Sequence, residues 1–157
     1  MKKLLLLLIY VSLMFSCVSN DKNNEDNTKE KILKRYHIDE IDSPNDTLTY
    51  LKKDMSLVNG IVFRSYENGK LKDETNYKEG KRDGLYKWWY ENDQLKVKGE
   101  FINNEFNGLW TKYHKNGKIS GTIPMIDGES IGEKERCWDE EGKEIYCNPE
   151  LKTEYDY

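Results

Sequence analysis

Apolar and polar positions alternate along much of residues 60–128, and turn-prone pairs interrupt the alternation at regular points. Leu71, Thr75 and Tyr77, then Leu95, Val97 and Phe101, then Ile119, Ile123 and Met125 fall on one face of three successive segments. The positions between them, Lys72, Glu74, Asn76, Lys96, Lys98 and Glu100, are polar. Successive side chains of a strand point to opposite faces, so a period of two predicts half-buried β-strands. Slipping the register by one residue would turn every apolar member of the set to solvent. The turns are Glu67-Asn68-Gly69-Lys70, Glu91-Asn92-Asp93-Gln94 and Lys115-Asn116-Gly117-Lys118, each beginning 24 residues after the one before. Asn-Gly predicts a two-residue type I′ hairpin, in which both central residues need positive φ. With Asn68 and Gly69 at its centre, Tyr66 faces Leu71 and Arg64 faces Asp73. By the same rule Tyr90 faces Leu95, Trp88 faces Val97 and His114 faces Ile119.

Glycines keep the same interval: Gly60, Gly84, Gly108 and Gly132 are spaced by 24. A fixed period of this size signals a repeat architecture, and it holds two strands of ordinary length with their turns. The outgoing strands are less regular. Phe63, Leu85, Trp89, Leu109 and Tyr113 fall on the second face, so either both faces are partly covered or an aromatic strip is exposed. The last unit has Lys134 at its second position and one extra residue in Asp139-Glu140-Glu141-Gly142. It is expected to be a cap, since a terminal repeat has one edge without a neighbour.

Gly84-Leu85-Tyr86-Lys87-Trp88-Trp89-Tyr90-Glu91-Asn92-Asp93 and Gly108-Leu109-Trp110-Thr111-Lys112-Tyr113-His114-Lys115-Asn116-Gly117 resemble MORN repeats, in the variant common in bacterial proteins. The returning segment from Leu71 to Gly80 fits the same pattern. The resemblance covers residues 59–128 well and 132–147 loosely. It implies an all-β domain over 47–147, with consecutive antiparallel hairpins in one elongated twisted sheet. Some bacterial members carry an antitoxin-component label, and membrane or lipid binding is often suggested for MORN repeats as a class. No basic face here supports lipid binding by the repeats.

The amino terminus has its own logic. Lys2 and Lys3 precede an apolar run from Leu4 to Phe15, and Ser16-Cys17 closes it. The run is too short to span ~30 Å of hydrocarbon comfortably and suits a signal peptide. Leu13-Met14-Phe15-Ser16-Cys17 resembles a bacterial lipobox, with a bulky Phe15 where a small residue is usual. This implies a leader over 1–16, lipid on Cys17 and a place in the bacterial cell envelope; ordinary cleavage and a retained anchor are the alternatives. Residues 17–46 form a tether. Val18 to Thr28 is polar and aperiodic. Residues 29–41 fit a short helix or an extended arm, and Asp42-Ser43-Pro44-Asn45-Asp46 breaks whatever precedes it. Thr47-Leu48-Thr49-Tyr50-Leu51 is β-prone and is expected to pair with the first repeat. Residues 148–157 are a tail.

Composition narrows the partners. Charged residues make up 34% of the chain, and 11 Tyr and 4 Trp supply most of the aromatic surface. A thin sheet with an aromatic core layer follows. The net charge is −4, so nothing points to nucleic acid. Loss of Lys2 and Lys3 with the leader leaves 23 basic against 29 acidic side chains, a net −6. Such a body stands off an anionic membrane, whose contact is through the N-terminal lipid alone.

Little in the chain points to catalysis. Cys137 and Cys147 flank the last turn, and in an oxidising compartment a disulfide between them competes with two unpaired buried thiols. A two-residue turn at Glu141-Gly142 sets them on opposite faces; a three-residue loop over 141–143 sets them directly opposite one another. His114 occupies the slot held by Tyr66, Tyr90 and Trp138, which explains it structurally. His37 lies near Asp39 and Glu40 without metal-ligand spacing. No Ser or Cys stands beside an oriented base, and adjacent acids such as Asp73-Glu74 and Glu140-Glu141 point to opposite faces. The expectation is therefore a protein without catalytic residues, metal or cofactor. Tyr86, Trp88, Trp89, Tyr90, Trp110 and Tyr113 are the candidate binding surface, set against simple core packing. The expected function is a lipid-anchored protein whose repeat surface binds a protein, peptide or glycan; the alternative is an antitoxin or immunity-like component that binds a toxin protein.

Overall fold

Glycine and asparagine at the turns set the spacing of the strands. The structure, a computed structural model, describes residues 33–45 and 47–147. The expected leader, Cys17, most of the tether and the 148–157 tail lie outside the described residues. Six long strands carry the fold: β4 (Gly60–Ser65), β5 (Leu71–Lys78), β6 (Lys81–Trp89), β7 (Leu95–Ile102), β8 (Glu105–Tyr113) and β9 (Ile119–Ile126). Before them come β1 (Arg35–His37), β2 (Ile41–Asp42) and β3 (Tyr50–Leu51); after them β10 (Glu129–Ser130), β11 (Arg136–Trp138) and β12 (Glu144–Ile145). One open sheet runs in the order β1-β4-β5-β6-β7-β8-β9-β11-β12, with β10 also paired to β9. Consecutive hairpins pair antiparallel, as the repeat predicts. No α-helix occurs among the described residues.

The two ends of the hairpins use different turns, and the type I′ turns are not where Asn-Gly predicts them. Glu79-Gly80, Asn103-Asn104 and Asp127-Gly128 have both central residues at positive φ: 50° and 78°, 52° and 76°, 49° and 82°. That is the type I′ requirement, met 24 residues apart. At the Asn-Gly end only the last loop residue is left-handed: Gly69 (φ 81°), Asp93 (φ 65°) and Gly117 (φ 84°). Tyr66 N–H donates to the Lys70 carbonyl (2.8 Å) and Gly69 N–H to the Tyr66 carbonyl (2.9 Å), closing a three-residue loop. A type I turn followed by a left-handed bulge residue has this form. Asn68, Asn92 and Asn116 serve it through their side chains. Each Oδ1 accepts the backbone N–H two residues on, from Lys70 (3.0 Å), Gln94 (3.2 Å) and Lys118 (3.0 Å).

The three-residue loop corrects part of the expected register. Arg64 pairs with Asp73 and Trp88 with Val97, as expected. Leu71, Leu95 and Ile119 pair with Ser65, Trp89 and Tyr113, and not with Tyr66, Tyr90 and His114, because a bulge next to the loop takes up one residue. The displaced residues link neighbouring hairpins. Tyr66 Oη donates to the Trp89 carbonyl (2.6 Å) and Tyr90 Oη to the Tyr113 carbonyl (2.9 Å); His114 Nε2 lies 2.8 Å from the Trp138 carbonyl. A carbonyl only accepts, so His114 donates there. The periodic glycines mark a second set of bulges. Gly84 (φ 108°) and Gly108 (φ 70°) sit where β6 and β8 carry extra residues against β5 and β7.

Two apolar clusters fill one face. Ile41, Leu51, Val58 and Val62, flanked by Tyr36 and Tyr77, join the N-terminal segment to the first hairpin. Tyr86, Val97, Phe101 and Trp110 form the second, with Trp88, Phe106, Ile123 and Met125 against them. The opposite face is wetter: Leu85 and Leu109 are exposed. Residues 47–51 pair in part with the first repeat and in part within the N-terminal segment. β1 runs parallel to β4, and a single 3-10 turn over Ile38–Glu40 follows it. Tyr50 and Leu51 pair with β2, Tyr50 also bridges Leu57, and Thr49 meets the first repeat, its N–H donating to the Gly80 carbonyl (2.8 Å) and its carbonyl accepting from Val58 N–H (3.0 Å). At the far end β11 pairs with β9 and β12 closes the cap hairpin. Cys137 and Cys147 are joined by a disulfide with Cα atoms 5.3 Å apart. Neither expected register holds there: Cys137 pairs with Ile145, which places Cys147 on a diagonal two residues further on.

Candidate functional site

Equivalent positions of the three repeats differ most on the packed face of the first. The slot shared by residues 64, 88 and 112 holds Arg, Trp and Lys, and the slot 73, 97 and 121 holds Asp, Val and Gly. Positions 82, 106 and 130 hold Arg, Phe and Ser. Where the second repeat is aromatic and dry, the first is charged. The N-terminal segment lies beside this charged area, and a half-open cavity of about 450 Å³ lies between it and strands β4 to β7. A volume of this order is typical of small-ligand pockets.

Adjacent strands build its floor. Arg64 on β4 donates from Nε to Asp73 Oδ2 on β5 at 2.7 Å, and the Asp73 side chain is only 5% exposed. Burial pushes the Asp73 carboxyl above its ordinary range, against the pull of Arg64. Tyr86 on β6 contacts the same guanidinium; burial, and then the charge of Asp73, push its phenol far up. Tyr77 is also pushed up, mainly by burial. Thr75 lies between these residues on the floor.

Arg82 and Asn104 close the end nearest the type I′ turns. The two residues exchange backbone contacts, Asn104 N–H to the Arg82 carbonyl (2.9 Å) and Arg82 N–H to Asn104 Oδ1 (2.8 Å). Arg82 Nη2 donates to the Asn104 carbonyl (3.1 Å), and its guanidinium carbon sits 4.2 Å from the Phe101 ring centroid. Asn104 Nδ2 reaches the Thr47 carbonyl (2.8 Å), which ties the N-terminal segment to the second repeat. From that segment Ile38, Ser43 and Thr49 face the cavity, with the Ser43 and Thr49 hydroxyls 2.9 Å apart.

The six aromatic candidates do not form one surface. Tyr86 and Trp110 are 3% and 2% exposed, with rings stacked at 5.5 Å and 27°. Trp88 packs against them. Tyr86 and Trp110 are core and Trp88 is half-buried against them, so the six make no exposed strip; small sheets bury their largest rings. Trp89, Tyr90 and Tyr113 are half-buried near the turns, and the carbonyls of Trp89 and Tyr113 receive the inter-hairpin hydrogen bonds. Of the six, only Tyr86 lines the cavity.

Sequence reasoning missed Arg82, Asn104 and the cavity itself. The expected register sets Arg64 opposite Asp73 but carries no sign that the Asp73 carboxylate is buried. The available signal was the departure of the first repeat from the aromatic character of the second. A smaller apolar hollow of about 270 Å³ continues along the same face at Phe106, Trp110, Ile123 and Met125. No group of three or more His, Cys, Asp or Glu side chains among the described residues is placed to hold a metal ion.

Three consecutive segments, residues 58–79, 82–103 and 106–127, match the family model described as the MORN repeat variant. No curated protein and no solved structure gives a significant match.

Proposed function

With residues 58–127 a run of MORN repeat variants, we propose that this chain is an exported, lipid-anchored binding protein of the bacterial cell envelope. Its repeat sheet presents a ligand site and carries out no chemical step. The leader-like residues 1–16 and the lipobox-like Leu13-Met14-Phe15-Ser16-Cys17 support the anchor. Its acidic body stands away from the membrane and meets its ligand in the aqueous compartment.

The observation that carries the binding role is the cavity over the first repeat, with the buried Asp73 carboxylate at its floor, paired to a partly exposed Arg64. A structural sheet has no need of a buried carboxylate, since apolar residues of similar volume are often as stabilising. Positions 88 and 97 of the next repeat, Trp and Val, show the apolar solution in the same fold.

Labelling cells with radioactive palmitate and fractionating their membranes tests the anchor. Label is expected in the membrane-bound protein and is lost in Cys17→Ala. Unlabelled protein recovered from the cytosol would reject it. The binding role is tested by screening the folded protein against glycan and peptide arrays, beside an Arg64→Met, Asp73→Leu double variant. Hits common to both folded proteins would move the site away from the cavity.

A further inference from the structure

We infer that the cavity over the first repeat binds a sugar acid, a ring with several hydroxyls and one carboxylate. This inference rests on the binding role proposed above and specifies its ligand.

Charge is the first argument. Arg64 and Asp73 cancel as a pair at 2.7 Å. Arg82 does not: among the described residues no carboxylate forms an ion pair with it. One of its Nη atoms serves the Asn104 carbonyl, which leaves most of its five N–H donors for another acceptor. The pocket therefore carries one net positive charge, in a planar fork suited to a single carboxylate.

Acceptors are the second argument. Among the described residues only Arg64 hydrogen-bonds the Asp73 carboxylate, through Oδ2. A carboxylate has about four acceptor sites, so Oδ1 in this nearly buried group is placed to receive a hydroxyl proton. Thr49, Thr75 and Tyr77 add hydroxyls along the same wall, while the exposed Ile38 gives apolar surface for the C–H face of a ring. A volume of about 450 Å³ suits one or two sugar rings.

A peptide is less well served. Peptides commonly dock by adding a strand to a sheet edge. Strands β4 to β7, which wall the cavity, are each paired on both sides, so no edge opens into it.

Three matched probes test the inference on the full chain by ligand-observed NMR. D-glucuronate carries the ring and the carboxylate, D-glucose the ring alone, and triglycine a carboxylate without the ring. Glucuronate is expected to saturate the protein at least tenfold more tightly than glucose or triglycine. Arg82→Gln should reduce glucuronate to the level of glucose, and Asp73→Asn should weaken both sugars. Leu109→Ser, on the opposite face, should change neither. Near-UV circular dichroism checks that each variant is folded; Arg82→Lys, which should lose at least threefold, replaces the glutamine variant if that one is not. Equal binding of glucose and glucuronate, no saturable glucuronate binding, or binding that survives loss of Arg82 would overturn the inference. Triglycine binding as tightly as glucuronate would also overturn it, while leaving the cavity a ligand site of another class.

Discussion

The indole of Trp110 fills the space that a Cβ on Gly99 would need. The two residues lie on neighbouring strands, and the bulge at Gly108 helps bring the ring across. Trp110 is then enclosed by Tyr86, Phe101 and Phe106, at ring-centroid distances of 5.5, 5.2 and 4.8 Å. A glycine in mid-strand normally weakens a sheet. Here it lets one large ring lie against the backbone of the next strand, so a thin sheet obtains a core without a second layer.

Gly99→Ala should destabilise the domain by about 1–3 kcal/mol, the usual cost of overpacking. The neighbour that must yield is a buried aromatic ring and not a flexible side chain. Trp110→Ala should cost more, about 3–5 kcal/mol. Urea unfolding followed by tryptophan fluorescence measures the first; circular dichroism measures both. A Gly99→Ala midpoint unchanged from the parent would show that the ring moves aside freely.

Much of the fold was legible because it repeats. The interval from Gly60 to Gly84 to Gly108 gave the hairpin period, and the alternation through Val97 and Phe101 gave the packed face. His114 was legible from its slot and does what Tyr66 and Tyr90 do. The turn types were not. Asn-Gly fits a type I′ turn, but the same Asn also holds a type I turn through its side chain, and local sequence does not choose between the two. The cavity was hidden for another reason. It needs Ser43 and Thr49 from a segment with no repeat, laid beside Arg64 and Asp73 by tertiary packing.

The turn geometry makes Asp93 the weak point of its series. It occupies the left-handed slot that Gly69 and Gly117 fill without strain, at φ 65°. Asp93→Gly should raise stability by up to about 1 kcal/mol, since a left-handed side chain costs roughly 1–2 kcal/mol and glycine returns part of that as chain entropy. The substitution also removes an ion pair to Lys70 at 2.7 Å, which is exposed and contributes little. A higher thermal midpoint at unchanged denaturant slope is the expected result. A lower one would mean that the Lys70 contact outweighs the strain.

Tyr77 and Tyr86 predict an alkaline limit. Both phenols are pushed above their ordinary value of 10 by burial, so the folded state holds their protons more tightly than the unfolded chain does. A raised folded pKa gives stability that is present below the unfolded value and is lost as pH rises towards the folded one. Stability should therefore fall from about pH 10 upward, by up to about 1.4 kcal/mol per pH unit for each group. Lysines titrate in the same range, so the diagnostic is the difference between parent and Tyr86→Phe. The variant should lose stability less steeply above pH 10. Parallel curves would show that Tyr86 ionises as readily folded as unfolded.

The cap hairpin is where covalent closure replaces packing. β12 is two residues long, its Ile145 is exposed, and no described strand lies beyond it. Cys147 stands on the diagonal from Cys137, past the last paired residue, so the disulfide holds together an end that two ladder pairs alone would leave to fray. A bridge between residues 10 apart in sequence is worth about 2–3 kcal/mol on the chain-entropy model. In a repeat sheet each unit depends chiefly on its neighbours, so the loss should stay local. A Cys137→Ser, Cys147→Ser double variant should exchange amide hydrogens faster over residues 136–147, and over β9 to a lesser degree. Protection in β5 to β7 should remain. Uniform loss of protection across the sheet would instead mean that the cap is part of the cooperative core, with the disulfide holding the domain as a whole.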